Sequence, residues 1–374
     1  MSYKFLAFLP FFLAACSPTR TNPVDSRLTQ LKKNQDSPAE RLRSNGTVRA
    51  GITPSSIAIS GKYAYVTNSN GGNILIYEVK TNGMLQPLRT SAIPSGWGPN
   101  MIAVTPSGKY AYTANTDSTS VSGFSIDRKS GELKPIPGSP FQAGKNPTFI
   151  AMTPSGRYAY VTNYGSTTIS AYAIDERTGA LHEIKGSPFE SGKAPASIAA
   201  DENHVFVANS NSNDVSAFEI RRDGSLEAVQ GSPFRTGSGP FAIALAPSGR
   251  YLYVTNSLTT NLSAFSVEKN GRLSPVQGSP FQTGMTPLWV TIAPSGRNIY
   301  VVNWLGGVSG YMIDQKTGAL IELEGSPFES GHAPKSVTVD PSGKYAYVAN
   351  GGDNDVTAYE IDPKGALLFF MKMR

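Results

Sequence analysis

The chain has 374 residues, a formal net charge of +6, three histidines and a single cysteine, Cys16. One cysteine excludes an intramolecular disulfide, and this inventory is too small for a zinc site or a cysteine nucleophile with its base. The positive charge is not a nucleic-acid footprint. Lys4 sits in an apolar leader and residues 17–49 carry seven cations against three carboxylates, so only about +1 remains for residues 50–374.

The leader comes first in the chain. Lys4 precedes the apolar run "FLAFLPFFL" (Phe5 to Leu13), far too short to span a bilayer and suited to the core of a secretory signal. The run ends in "LAAC". Small residues before a cysteine at that place resemble the lipobox of bacterial lipoproteins, which implies that residues 1–15 are removed and that Cys16 is acylated on sulfur. Ser17 stands where an aspartate usually retains lipoproteins in the inner membrane, so the resemblance implies an outer-membrane address in a cell with two membranes.

Residues 16–49 are expected to be a lipid-anchored flexible tether. Ser, Thr, Asn, Gln, Pro and charge dominate, with almost no apolar periodicity, and such a segment has a reach of roughly 30 Å. An acyl chain beside a basic segment is a two-part means of holding a protein on an anionic membrane surface. The expected partners are therefore the membrane and an envelope protein or small-molecule ligand, with no nucleic acid and no cofactor.

From residue 50 to 374 the chain is one repeat. Seven segments of the type "YVTN" end at Asn68, Asn115, Asn163, Asn209, Asn256, Asn303 and Asn350, spaced by 47, 48, 46, 47, 47 and 47 residues. Each unit holds four short runs, as in the third: "TFIAMT", "YAYVTN", "ISAYAI" and "ALHEI", separated by "PSGR", "YGSTT" and "DERTG". Period-2 alternation, β-branched and aromatic content and Gly, Pro, Asn and Asp turns predict strands throughout and no helix of consequence. Four strands per unit, seven times over, predict an all-β, seven-bladed β-propeller with four antiparallel strands per blade.

Five units carry "GSPF", at Gly138 to Phe141, Gly186 to Phe189, Gly231 to Phe234, Gly278 to Phe281 and Gly325 to Phe328. A ring of near-identical elements makes no single asymmetric site, so the motif is expected to be scaffolding: proline ends an outer edge strand, phenylalanine tucks between blades, and the following Gly144, Gly192, Gly237, Gly284 and Gly331 permit a turn. The last unit lacks the motif, whereas "VRAGITP" (Val48 to Pro54) lines up with "FQAGKNP" (Phe141 to Pro147). The closing strand is left open between Leu367 to Met373, residues around Arg43 to Val48, or both.

The repeat resembles the YVTN-repeat and lactonase-like family of seven-bladed propellers over nearly all of residues 50–374. The resemblance implies the fold; one propeller hosts many functions. Function is expected where the units differ, on the face carrying the crossovers between blades and the loops after each "YVTN". There the sixth unit is shortened to "WLGG" after Asn303, and Trp289, Trp304, His332, Lys335, Asp353 and Asp355 make a chemically mixed patch, unless the tryptophans fill the channel wall and the charges are solvated loop residues; Trp97 lies on the same face of another blade.

Lactone-processing members of the family tend to place Arg and His near the start of innermost strands. None of the seven matching segments here holds either; Lys335 is their one cation, and His332 lies three residues upstream. The residues therefore lead to the expectation of an envelope lipoprotein whose propeller is a binding or interaction module, more a non-enzyme than an enzyme. The alternative is a lactonase-type hydrolase with His332 as its base. Asp353 and Asp355 without further ligands are ordinary turn chemistry rather than a calcium loop, and His182 and His204 are expected to be structural.

Overall fold

The structure, a computed structural model, describes residues 46–88 and 92–369. The leader, Cys16 and the tether up to residue 45 fall outside them. Within them the chain forms seven antiparallel sheets and no helix, a seven-bladed propeller with four strand positions per blade. Blade 3 is representative: Pro147–Met152 lines the channel, followed outward by Tyr158–Asn163, Thr168–Ile174 and a split outer strand of Leu181–Glu183 and Phe189–Glu190.

Burial explains why the second strand reads "YVTN" rather than apolar-in, polar-out. Tyr63–Asn68 and Tyr110–Asn115 are buried at every position, because the second strand is covered on both faces by neighbouring blades. Seven apolar clusters result, one per interface. One joins Ile57, Ala64, Val66 and Tyr77 of blade 1 to Tyr347, Ala349, Val356 and Ala358 of blade 7, so the ring is closed. A tyrosine in the second strand ties five of the seven interfaces again: Tyr112, Tyr160, Tyr253 and Tyr300 donate to the carbonyls of Gly179, Gly224, Gly318 and Gly365 of the next blade. Tyr347 does the same to Gly83 across the closure, at 2.8 Å.

"GSPF" interrupts the outer strand rather than ending it, which corrects the sequence expectation. In blade 3, Leu181–Glu183 and Phe189–Glu190 both pair with the same third strand, Thr168–Ile174, and the motif loops out between them. Its glycine takes the left-handed φ (+92° at Gly186) that the third position of a type II turn requires, and Ser187 N–H closes that turn on the Ile184 carbonyl. The serine hydroxyl then replaces the ladder acceptor lost to the interruption. Ser139, Ser187, Ser232, Ser279 and Ser326 accept the third-strand N–H of Gly123, Ala171, Ala217, Ala264 and Gly310 at 2.9–3.1 Å. The phenylalanine packs into the interface cluster as expected, Phe328 being 8% exposed.

Both termini build the outer position of blade 7. Leu367–Phe369 pairs with one half of Asp355–Ile361 and Thr47–Arg49 with the other, Val48 opposite Val356. The N-terminal segment thus occupies the place that "FQ" holds in blade 2, as the alignment of "VRAGITP" indicates, and the alternative left open in the sequence resolves as both.

Two substitutions check this account. Ser187→Ala orphans the Ala171 N–H and is expected to cost about 1–3 kcal/mol, read as a lower urea midpoint. Gly144→Ala sets a Cβ 2.4 Å from Asn163 Cγ and is expected to cost about 1–3 kcal/mol by overpacking; an unchanged midpoint in either contradicts the role given to that residue.

Candidate functional site

The crossover before each blade rests on the asparagine that ends its second strand. Gly144 N–H donates to Asn163 Oδ1 at 3.0 Å and Gly51 N–H to Asn68 Oδ1 at 2.9 Å. The asparagine in turn donates into the third strand, as Asn163 Nδ2 does to Thr168 and Ser170. On blade 7 the crossover packs against Asn350 without that bond, a Cβ on Gly331 falling 2.6 Å from Asn350 Cγ.

The residue after that glycine is His332. Its backbone N–H donates to Asp353 Oδ2 at 2.7 Å and its Nδ1 lies 2.9 Å from Asp353 Oδ1. With Nδ1–H donating to the carboxylate, Nε2 is left as the free lone pair. The imidazole is largely solvent-exposed. The Asp353 hydrogen bond and charge raise its pKa above the ordinary 6.5, so the pair steadies the fold below that value and loses its contribution as pH rises through the raised one.

Lys335, at the second position of the innermost strand Pro334–Val339, is half-buried. Desolvation lowers its pKa to about 8. Two adjacent glycines bring it near the dyad. A Cβ on Gly351 would meet Lys335 Cε at 2.9 Å, and one on Gly352 would meet the His332 carbonyl oxygen at 2.9 Å. The pair Gly351–Gly352 is what lets a lysine stem and the histidine segment lie against one loop.

The other residues of the patch separate. Asp355 accepts from Asn350 Nδ2 at 2.8 Å. Trp289 crosses the channel to meet Phe149 of blade 3, ring centroids 5.1 Å apart and tilted, and Met101 packs on the same cluster, so this tryptophan faces the channel, as one of the two readings of the sequence had it. Trp304 is on the shortened blade-6 turn, its N–H bonded to the Thr286 carbonyl. Its counterpart in blade 3, Tyr164, interacts with Ser210 of blade 4. Trp97 is exposed on blade 2. His204 is buried at a turn with its N–H on Asp201, and His182 lies on an outer strand. Among the described residues no cluster of three or more His, Cys, Asp or Glu side chains could hold a metal ion.

Sequence reasoning also missed Asn354. Its side chain accepts the Thr53 N–H at 2.7 Å and its carbonyl the Ala50 N–H at 2.9 Å, which joins the Asp353 loop to blade 1. A cleft of about 550 Å³ lined by Lys62, Thr105, Gly108 and Arg128 opens at the other end of the blades and does not touch His332.

The model of the family described as "Lactonase, 7-bladed beta-propeller" matches residues 17–144, 137–241, 230–303 and 270–369. The chain belongs to that family. Among solved structures it resembles a 6-phosphogluconolactonase assignment from Bacteroides uniformis, with 20% identity, 80% of this chain and 91% of that chain covered, and a TM-score of 0.70. It also resembles the periplasmic gluconolactonase of Pseudomonas aeruginosa, with 20% identity, 87% and 94% coverage and a TM-score of 0.69. Hydrazine synthase of Kuenenia stuttgartiensis, with 20% identity, 84% and 97% coverage and a TM-score of 0.63, shares the fold as well. No curated protein matches.

Family membership corrects the expectation of an interaction module. The chain falls in a lactonase family, and its leading structural neighbours carry lactonase names. The histidine of this face stands in a crossover rather than on an innermost strand, and only the fold brings it the carboxylate 21 residues on that orients it.

Titration of His332 by NMR is expected to give a pKa above 6.5 that falls towards that value in Asp353→Asn; an equal pKa in both proteins would remove Asp353 as the orienting group.

Proposed function

We propose that the protein hydrolyses lactones at the blade-7 crossover. The observation that carries this reading is the His332–Asp353 pair, set in a chain of a lactonase family. His332 Nε2 takes a proton from water as the water oxygen attacks the lactone carbonyl carbon. The oxyanion that forms is met by the Lys335 ammonium. The ring C–O bond then breaks as the imidazolium returns its proton to the leaving oxygen, and an open-chain hydroxy acid departs.

The expected kcat/KM profile is bell-shaped. Its rising limb follows deprotonation of His332 above 6.5, and its falling limb follows deprotonation of Lys335 near pH 8. His332→Ala is expected to lower kcat/KM by about 10²–10⁴-fold, and Lys335→Met to remove the falling limb along with about 10²–10³-fold of the rate. Turnover of simple, sugar and phosphorylated lactones no faster than buffer would end this reading.

The same proposal places the enzyme on the cell envelope, held by an acyl group on Cys16 and a basic tether. Support comes from the apolar run before "LAAC" and the net +4 of residues 17–49. In cells, the full chain is expected in the membrane fraction with the mass of an acylated Cys16, and Cys16→Ser in the soluble fraction; an unmodified, soluble full-length chain would remove the anchor.

A further inference from the structure

The residue that follows the crossover glycine changes around the ring, and its pattern bears on which lactone the site takes. It is His332 on blade 7, Met285 on blade 6, Ile52 on blade 1 and Trp97 on blade 2, but Lys145 and Lys193 on blades 3 and 4, across the ring. Met285, Ile52 and Trp97 are 59%, 61% and 79% exposed. Leu305, 62% exposed, joins Met285 through its N–H on the Met285 carbonyl, and Leu258 on blade 5 is 49% exposed. Of the eight exposed large hydrophobic residues among those described, these five stand on the crossover face. They form an arc over blades 5, 6, 1 and 2 that is centred on the His332–Asp353 pair. Exposed apolar side chains gathered beside a reactive group, rather than scattered, mark a binding surface.

Charge points the same way. On blades 5, 6, 7, 1 and 2, the innermost strands, the residues between the crossover glycine and the following proline, and the loops after the "YVTN" asparagine hold one lysine or arginine, Lys335. Asp353 and Asp355 stand on the same blade. A phosphorylated lactone demands several convergent cations or a bidentate arginine, and that demand is not met beside the dyad.

We infer that the substrate is an uncharged lactone bearing an alkyl or acyl chain, its ring held between His332 and Lys335 and its chain lying over Met285 and Leu305. The inference rests on the lactonase reading above and goes beyond it by naming the substrate class. The blade-6 side is the fitting one because Met285 and Leu305 are joined there.

The test measures kcat/KM of the full chain on γ-lactones from butyrolactone to dodecalactone, beside glucono-δ-lactone and its 6-phosphate, in the native protein and in Met285→Glu and Leu305→Glu. Both variants are surface changes, and far-UV circular dichroism checks that they fold. The expected result is a rise of about fourfold per methylene added over the first several carbons, the equivalent of about 0.8 kcal/mol, and a poor phosphorylated substrate. Both variants flatten that slope. Hydrolysis that is indifferent to chain length, or that favours the 6-phosphate, overturns this inference and leaves the lactonase reading standing. No hydrolysis of any lactone overturns both. A flat slope together with concentration-dependent dimers that Met285→Glu abolishes assigns the arc to self-association and also overturns the inference.

Discussion

A buried asparagine closes the second strand of every blade, and the crossover into that blade lies directly on it. All seven, from Asn68 to Asn350, have no exposed surface. A Cβ on the crossover glycine would come within 2.4–2.8 Å of the side chain in each case, which is closer than two atoms can approach. The asparagine donates into the third strand while the crossover backbone rests on its other side, so one amide links three segments of a blade. Each loop of the crossover face is therefore held to one geometry, and the side chain following the glycine is aimed at the same point of every blade.

That constraint converts a repeat into a site. Because the scaffold is uniform, one substitution in one unit is enough to make a face chemically distinct. Histidine after Gly331, lysine after Pro334 and the pair Gly351–Gly352 all fall in blade 7, and Asp353 is brought to within 2.9 Å of His332 by the folded loop rather than by sequence proximity. The channel contributes little chemistry. Trp289, Phe149 and Met101 fill it with apolar surface, which leaves the reactive groups at its mouth. Hydrazine synthase has the same fold with a different named activity, a reminder that function lives in such local departures.

The closure of the ring follows a related logic. An open propeller would expose the edge of blade 7 and the apolar faces of blades 1 and 7. The chain avoids this by dividing the outer strand between its two ends, Thr47–Arg49 and Leu367–Phe369, on one third strand. The division copies what every "GSPF" blade does, since those outer strands are already broken in two. In blade 7 the break is simply where the chain begins and ends.

The sequence by itself determined the number of blades and the four strands of each, because a period of about 47 residues with alternating strands and turn residues has one compact solution. It also named His332, Lys335 and Asp353 as members of one face. It did not reveal that "GSPF" lies inside a strand, since an interrupted strand and a terminated one share the same proline. Nor did it tell Trp289, which turns into the channel, from Trp304, because both tryptophans stand in the same blade and either could line the channel or its mouth. Which carboxylate orients the histidine was decided by tertiary structure alone. Asp353 and Asp355 look alike in "GGDNDV", and only the folded loop sets them apart, placing Asp355 on Asn350 and Asp353 on His332.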